Sequence, residues 1–292
     1  MAEIKGIDVS VWQGAIDWQK VKAAGIQFAM LRGGFGKNKT QVDGQFETNY
    51  KNAKAAGVPV GVYHYSYAQS VTDAEKEADF CLSMLKGKQF EYPIAFDIED
   101  KTQRNLGKDL ISQIIIAFCE KVEKAGYYVC IYANKDWLNN RIDTYCRNRF
   151  DVWLAEWTSK PTYNGQFGLW QYSSKGSVSG ISGNVDLNIA YKDYPSIIKA
   201  AKLNGFTESV TAPEPEKKPA PVPVTYKAGD KVVLKNTPLY STASAKKALI
   251  KRSGTYYIYD GVKINGRYRV TNRADRVGKK PVGLYVSGFV AL

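Results

Sequence analysis

The first two-thirds of the chain repeat one succession: an apolar run, a helical pattern, a glycine, and another apolar run. The runs lie at residues 4–9, 26–32, 58–65, 93–99, 128–133, 152–157, 168–172 and 184–189. Helical patterns at 18–24, 46–56, 72–85 and 108–124 separate several of them. Gly25, Gly57 and Gly126 each follow such a pattern, where a left-handed helix terminator is expected. Strands alternating with helices predict parallel strands joined by crossover helices. Eight of them predict an α/β fold closed into a (β/α)8-like barrel, irregular because the later crossovers are short. Chemistry in such barrels sits at the carboxyl ends of the strands.

Those ends carry an unusual set of side chains: Asp8, Arg32, His64 flanked by Tyr63 and Tyr65, the pair Asp97 and Glu99, Tyr132, Glu156, Gln171 and Asp186. Side chains alternate along a strand, so Ala95, Asp97 and Glu99 share one face of the fourth run, and Ile94, Phe96 and Ile98 the other. By the same parity Gly6 and Asp8 oppose Ile7 and Val9, while Asn184, Asp186 and Asn188 oppose Val185, Leu187 and Ile189. Polar residues turned inward at a barrel mouth are what an enzyme requires. Two close carboxylates push their proton affinities apart, leaving one proton donor and one anion, and that pair is able to cleave a glycosidic bond. A solvated strand end would explain one or two of these acids, but explains four poorly.

Composition narrows the chemistry. One histidine, His64, leaves no basis for a zinc hydrolase and makes a histidine triad depend on a single residue. His64 is expected to be structural, and no metal or cofactor is expected. The four cysteines, Cys81, Cys119, Cys130 and Cys146, lack CxxC spacing and read as reduced, buried thiols. The 20 tyrosines and 6 tryptophans could build an aromatic cleft. Tyr63, Tyr65, Tyr132, Trp153 and Trp157 are the candidates to stack on sugar, with core packing the alternative for each. No apolar run reaches the length of a membrane span. A strand pattern begins within three residues of the start, so no signal peptide is expected and synthesis is placed in the cytosol.

Residues 206–225 hold five prolines and no periodicity, which predicts a semi-rigid extended linker between a domain at 1–205 and another at 226–292. The last segment alternates in short runs at 231–234, 255–259, 267–271 and 284–290. Asn265-Gly266 between two of them is a strong hairpin signal. A small all-β barrel or sandwich fits. Charge is uneven: residues 1–205 carry 25 Lys+Arg against 22 Asp+Glu, whereas residues 226–292 carry 14 against 3. The C-terminal segment should therefore favour a polyanion, either an anionic cell-wall polymer or nucleic acid. It contains no recognised nucleic-acid motif, so nucleic acid is not the expected partner.

Four stretches carry a family resemblance: Gly6-Ile-Asp-Val-Ser10 followed by Trp12-Gln13; Gly61-Val-Tyr-His-Tyr65; Phe96-Asp-Ile-Glu99; and Leu169-Trp-Gln-Tyr172 before Val185-Asp186. In this order they resemble glycoside hydrolase family 25, the muramidases common in phage endolysins and bacterial wall hydrolases. The resemblance implies an irregular β/α barrel that hydrolyses the β-1,4 bond between N-acetylmuramic acid and N-acetylglucosamine in the peptidoglycan of Gram-positive walls. The family's Asp-x-Glu pair maps onto Asp97 and Glu99, its first-strand aspartate onto Asp8, and its last-strand aspartate onto Asp186.

Glu99 is then expected as general acid with a raised proton affinity, Asp97 as a lasting anion, and Asp8 and Asp186 as residues that orient them or bind sugar. Gln171 would bond substrate or hold a carboxylate. Arg32 would contact substrate, and Glu156 is explained equally well by a salt bridge. Gly229-Asp-Lys-Val-Val233, Gly266-Arg-Tyr-Arg-Val-Thr271 and Gly288-Phe-Val290 resemble bacterial SH3-like wall-binding modules. The whole layout resembles an endolysin that reaches the wall after release from the cytosol. Another barrel glycosidase such as a chitinase, or a glycan-binding protein without activity, is the alternative. The Asp-x-x-Asp-x-Asp-x-Glu run of chitinases is absent, because Pro93-Ile-Ala-Phe precedes Asp97.

Overall fold

The computed structural model describes residues 3–206, 226–279 and 287–292, which fall into two compact units, within residues 1–212 and 213–292. Most of the expected linker (207–225), and residues 284–286 of the last expected strand, lie outside the described residues. Phe206, expected to begin the linker, is buried in the first unit.

The first unit is a closed eight-stranded barrel in sequential order, with β1 Ile4–Val9, β2 Phe28–Phe35, β3 Val60–Tyr65, β4 Ile94–Asp97, β5 Val129–Asn134, β6 Asp151–Ala155, β7 Leu169–Gly176 and β8 Val185–Ala190. Around it run α1 Trp18–Ala23, α2 Phe46–Ala55, α3 Val71–Leu85, α4 Lys108–Lys124, α5 Lys135–Asn140, α6 Thr144–Arg149 and α7 Tyr194–Ala200. Local chemistry fixes the helix ends. The side chains of Asp17, Ser70, Asn134, Asp143 and Asp193 each accept a backbone N–H in the first turn of a helix. Gly25, Gly57 and Gly126 follow α1, α2 and α4 with φ of 86°, 68° and 90°, the left-handed termination the sequence predicts.

In α4 the buried side chains Ile111, Ile114, Ile115, Phe118, Cys119 and Val122 recur at three- and four-residue steps, so one stripe faces the strands. The alternation of the strands then divides the core in two. Ile7, Val9, Leu31, Val62, Ile94, Phe96, Ile131, Val152 and Leu154 face the helices. Phe28, Met30, Ala95, Cys130, Trp153, Leu169 and Ala190 fill the barrel interior. Asp8, Arg32, Asp97, Tyr132 and Gln171 share the inward parity but lie nearer the carboxyl ends, so the interior is apolar below and polar at the mouth.

The all-parallel expectation fails at one strand. β8 runs antiparallel to both β7 and β1, and Asp186 lies directly opposite Asp8. A segment of only eight residues (177–184) separates the last paired residue of β7 from β8, too short for a crossover helix to return the chain, so β8 enters from the mouth. Asp186 reaches the mouth from the start of its strand, not from its carboxyl end.

The second unit is a four-stranded antiparallel sheet in the order β12-β11-β10-β9, with β9 Lys231–Leu239, β10 Ile250–Ile264, β11 Arg267–Thr271 and β12 Ser287–Ala291. Asn265 and Gly266, at φ of 48° and 76°, form the two-residue turn that pairs Ile264 with Arg267. Val232, Leu234, Leu239, Tyr256, Ile258, Tyr268, Val270 and Val290 form its core.

Candidate active site

A cleft at the barrel mouth is lined by Asp8, Ser10, Trp12, Gln13, Arg32, Tyr63, Tyr65, Asp97, Glu99, Tyr132, Trp153, Trp157, Gln171, Ser174 and Asp186. Every residue singled out from sequence as catalytic or sugar-binding is among them. Ser10, Trp12, Gln13 and Ser174 were not foreseen as site residues. The first three directly follow Asp8, where Ser10 caps a 3-10 turn, Val11–Gln13, that holds Trp12 on the cleft rim, 81% exposed. His64 and Glu156 are not cleft residues. The His64 ring packs between Phe80 and Phe118, fully buried and held neutral by burial, which lowers its pKa to about 3. Glu156 pairs with Lys135 at 3.1 Å and accepts the N–H groups of Thr162 and Tyr163.

The acids are held in a defined order. Asp8, 6% exposed, accepts hydrogen bonds on one oxygen from Gln171 Nε2 at 2.9 Å and Asn188 Nδ2 at 2.8 Å. The carbonyl ends of both amides are committed elsewhere. Gln171 Oε1 accepts from Tyr132 Oη at 3.1 Å and Trp157 Nε1 at 3.0 Å, and Asn188 Oδ1 accepts from Trp153 Nε1 at 2.8 Å. Donors that cannot accept fix which way each amide points, so both NH2 groups are turned onto Asp8. Three of the aromatic residues expected to stack on sugar thus orient a carboxylate as well. Tyr65 Oη donates to Asp100 Oδ2 at 3.0 Å just behind Glu99.

Arg32 donates from Nε to Asp43 Oδ2 at 2.7 Å. The same oxygen accepts the N–H of Val11, tying the end of β2 to the turn that carries Trp12.

Burial and crowding raise the proton affinity of all four acids. Asp8 is carried from 3.8 to about 7, by desolvation first and then by the charge of Asp186, despite its two amide donors. Asp97, 3% exposed, is held well above the usual carboxylate range by desolvation and then by Glu99 and Asp8; the Arg32 guanidinium only partly opposes this. Asp97 Oδ1 is buried with no hydrogen-bond partner among the described residues. Glu99 is raised by burial, Asp186 and Asp100, and Asp186 chiefly by burial. Burial thus opposes the lasting charge expected on Asp97, whose environment is dry and one of whose oxygens lacks a donor among the described residues. Asp8, with two aimed amides, is the better place for a resting negative charge.

A cluster of acids with raised proton affinities, gathered at the barrel mouth and rimmed by exposed Trp12 and Trp157, has the equipment for glycan hydrolysis. The profile of the Glycosyl hydrolases family 25 matches residues 7–181, which include Asp8, Asp97 and Glu99. The chain belongs to this family. Two relatives are the autolytic lysozyme of Clostridium acetobutylicum, 30% identical over 186 residues (63% of this chain and 55% of that one), and lysozyme M1 of Streptomyces globisporus, 31% identical over 199 residues (63% and 67%). The chain thus spans little more than half of the clostridial enzyme. Among solved structures, the CTP1L endolysin superposes with a TM-score of 0.60 at 26% identity, covering 67% of this chain and 69% of its own. For a family 25 chain, the antiparallel β8 opposite β1 is what brings a fourth acid, Asp186, to the shared mouth.

Proposed function

We propose that this chain is a peptidoglycan hydrolase, an N-acetylmuramidase that cleaves the β-1,4 bond between N-acetylmuramic acid and N-acetylglucosamine. The observation that carries the reading is the coupled group of Asp8, Asp97, Glu99 and Asp186 in an aromatic cleft of a family 25 barrel. Glu99, the less buried of the Asp-x-Glu pair and the one facing the cleft beyond the end of β4, is the general acid. It protonates the leaving oxygen and later takes a proton from water. As the glycosidic bond breaks, positive charge builds on the sugar ring. That charge favours an ionised carboxylate beside it over a protonated one, so the acids of the cleft bind the transition state better than the resting substrate. Tyr63, Tyr65, Tyr132, Trp153 and Trp157 line the sugar path, and Gln171 acts through Asp8.

The autolytic and endolytic relatives support a role on Gram-positive cell walls, and we assign the chain to the endolysin type, made in the host cytoplasm and acting on the wall after release. The second unit is proposed as an SH3-like wall-binding module. Its four-stranded antiparallel sheet suits that fold, and the 14 Lys+Arg against 3 Asp+Glu of residues 226–292 suit an anionic partner. Reducing-sugar release from purified Gram-positive walls, with Glu99→Gln alongside, tests the activity. Release by the parent and none by the variant supports the reading. Equal release from both, or none from either, overturns it.

A further inference from the structure

Between Lys231 and Tyr259, one hairpin of the second unit carries cations and no acid. Lys235 lies on β9, Lys246 and Lys247 in the connection, and Lys251 and Arg252 at the start of β10; the four lysines are exposed. Strand pairing sets Lys251 and Arg252 beside the part of β9 that carries Lys235. Arg252 lies opposite Thr237 and Lys251 opposite Pro238, and next to Lys235 the N–H of Asn236 bonds Ser253 Oγ at 2.8 Å.

The three acids of residues 226–292 make their contacts elsewhere. Asp275 pairs with Arg273 at 2.8 Å and Arg276 at 3.7 Å, Asp230 accepts the N–H of Lys227, and Asp260 accepts that of Val262. None of the hairpin's cations has an ion-pair partner among the described residues.

Like charges held this close repel, and they lower their free energy by displacing counterions from a polyanion. Lysines are mobile point charges that can follow phosphates spaced along a flexible backbone. A nucleic acid would call for exposed rings on which bases stack. Here Tyr240 and Tyr259 are covered by the guanidinium groups of Arg267 at 3.5 Å and Arg269 at 4.1 Å. Among the described residues, the large apolar side chains most exposed on the unit are all aliphatic, with Leu249 (69%) and Ile250 (45%) between Lys247 and Lys251.

We propose that the β9–β10 hairpin docks the phosphodiester-linked polyol polymer of the Gram-positive wall, holding its phosphates through Lys235, Lys246, Lys247 and Lys251. The inference rests on the reading of the barrel as a wall hydrolase, which decides the polyanion the chain meets. It assigns the anchor to the polymer attached to the glycan and leaves the glycan to the cleft.

The test is co-sedimentation of the full chain with purified walls, before and after hydrofluoric acid strips phosphodiester polymers from intact peptidoglycan. Retention should fall about tenfold or more on stripped walls, and should fall steeply on native walls between ~50 and ~200 mM salt. The quadruple Lys→Gln variant should bind native walls about tenfold or more weakly, with a shallower salt dependence, while the quadruple Lys→Arg variant binds as the parent does. Soluble glycan fragments should be hydrolysed equally by all three proteins.

Equal retention of the parent on stripped walls overturns the proposal and makes peptidoglycan itself the ligand. A Lys→Gln variant that binds as the parent does also overturns it, leaving the lysines as guards of the sheet edge. Preference for duplex DNA over native walls at equal phosphate would reassign the partner. Loss of hydrolysis of soluble fragments by the parent would defeat the muramidase reading alone, since the sedimentation result is read independently.

Discussion

Asp8→Asn should make the barrel more stable at neutral pH. In the folded chain the Asp8 carboxyl is carried from 3.8 to about 7 by desolvation and the charge of Asp186. Each tenfold change in proton affinity corresponds to ~1.36 kcal/mol, so the charged form lies up to ~4 kcal/mol higher in the folded than in the unfolded state. The sign follows from the raised value. The folded chain binds the proton more tightly, so the favourable contribution is complete below the ordinary carboxylate range and is lost as pH rises towards 7.

An asparagine keeps an oxygen that can accept from Gln171 Nε2 and Asn188 Nδ2, and it removes the charge. The gain should therefore be near zero at pH 4 and grow to about 2–4 kcal/mol by pH 7 to 8. For a domain of this size that is roughly 5–15 °C in Tm. Calorimetry of parent and variant across this pH range, following the barrel transition, reads the effect directly. A variant less stable than the parent at pH 8, or a gain independent of pH, would refute the argument that the site stores electrostatic repulsion.

The other predictions concern activity. Glu99→Gln should lower sugar release by ~10²–10⁴-fold with wall binding unchanged in the sedimentation assay. Because Asp186 helps to raise Glu99, the basic limb of the pH–rate profile should lie above the ordinary 4.5, and Asp186→Asn should move it to lower pH. Gln171→Leu strips one donor from Asp8 and leaves Tyr132 Oη and Trp157 Nε1 without their acceptor, so the barrel should lose about 1–3 kcal/mol by denaturant titration, alongside activity. Trp12→Ala, at a side chain 81% exposed, should change stability by no more than ~0.5 kcal/mol while raising KM for wall glycan.

The sites of chemistry were legible because a barrel puts inward-facing residues at strand ends into one cleft, and alternation along β1, β4 and β8 marks those residues in the sequence. Asp8, Asp97 and Asp186 follow from parity, and Gln171 from its place near a strand end. Glu99 required more, since β4 ends at Asp97 and Glu99 stands on the loop beyond. Two features were hidden. The reversal of β8 is set by the shortness of the preceding connection and by pairing across the closed sheet, neither of which hydrophobic periodicity reports. The burial that opposes a charge on Asp97 was hidden too, because proton affinity depends on three-dimensional packing and on which acid receives aimed donors. Asn188 was seen as an inward polar residue, but its bond to Asp8, supported by Trp153, joins parts of the chain 180 and 35 residues apart. Ser10, Trp12 and Gln13 could have been found by asking what the chain must do immediately after an active-site aspartate.

The most direct test is mass spectrometry of the fragments released from purified Gram-positive peptidoglycan by the parent and by Glu99→Gln. Reducing ends that are N-acetylmuramic acid, present with the parent and absent with the variant, are the predicted result. Reducing ends that are N-acetylglucosamine, or fragments unchanged by the variant, would contradict the account of the cleft and of Glu99 as its acid.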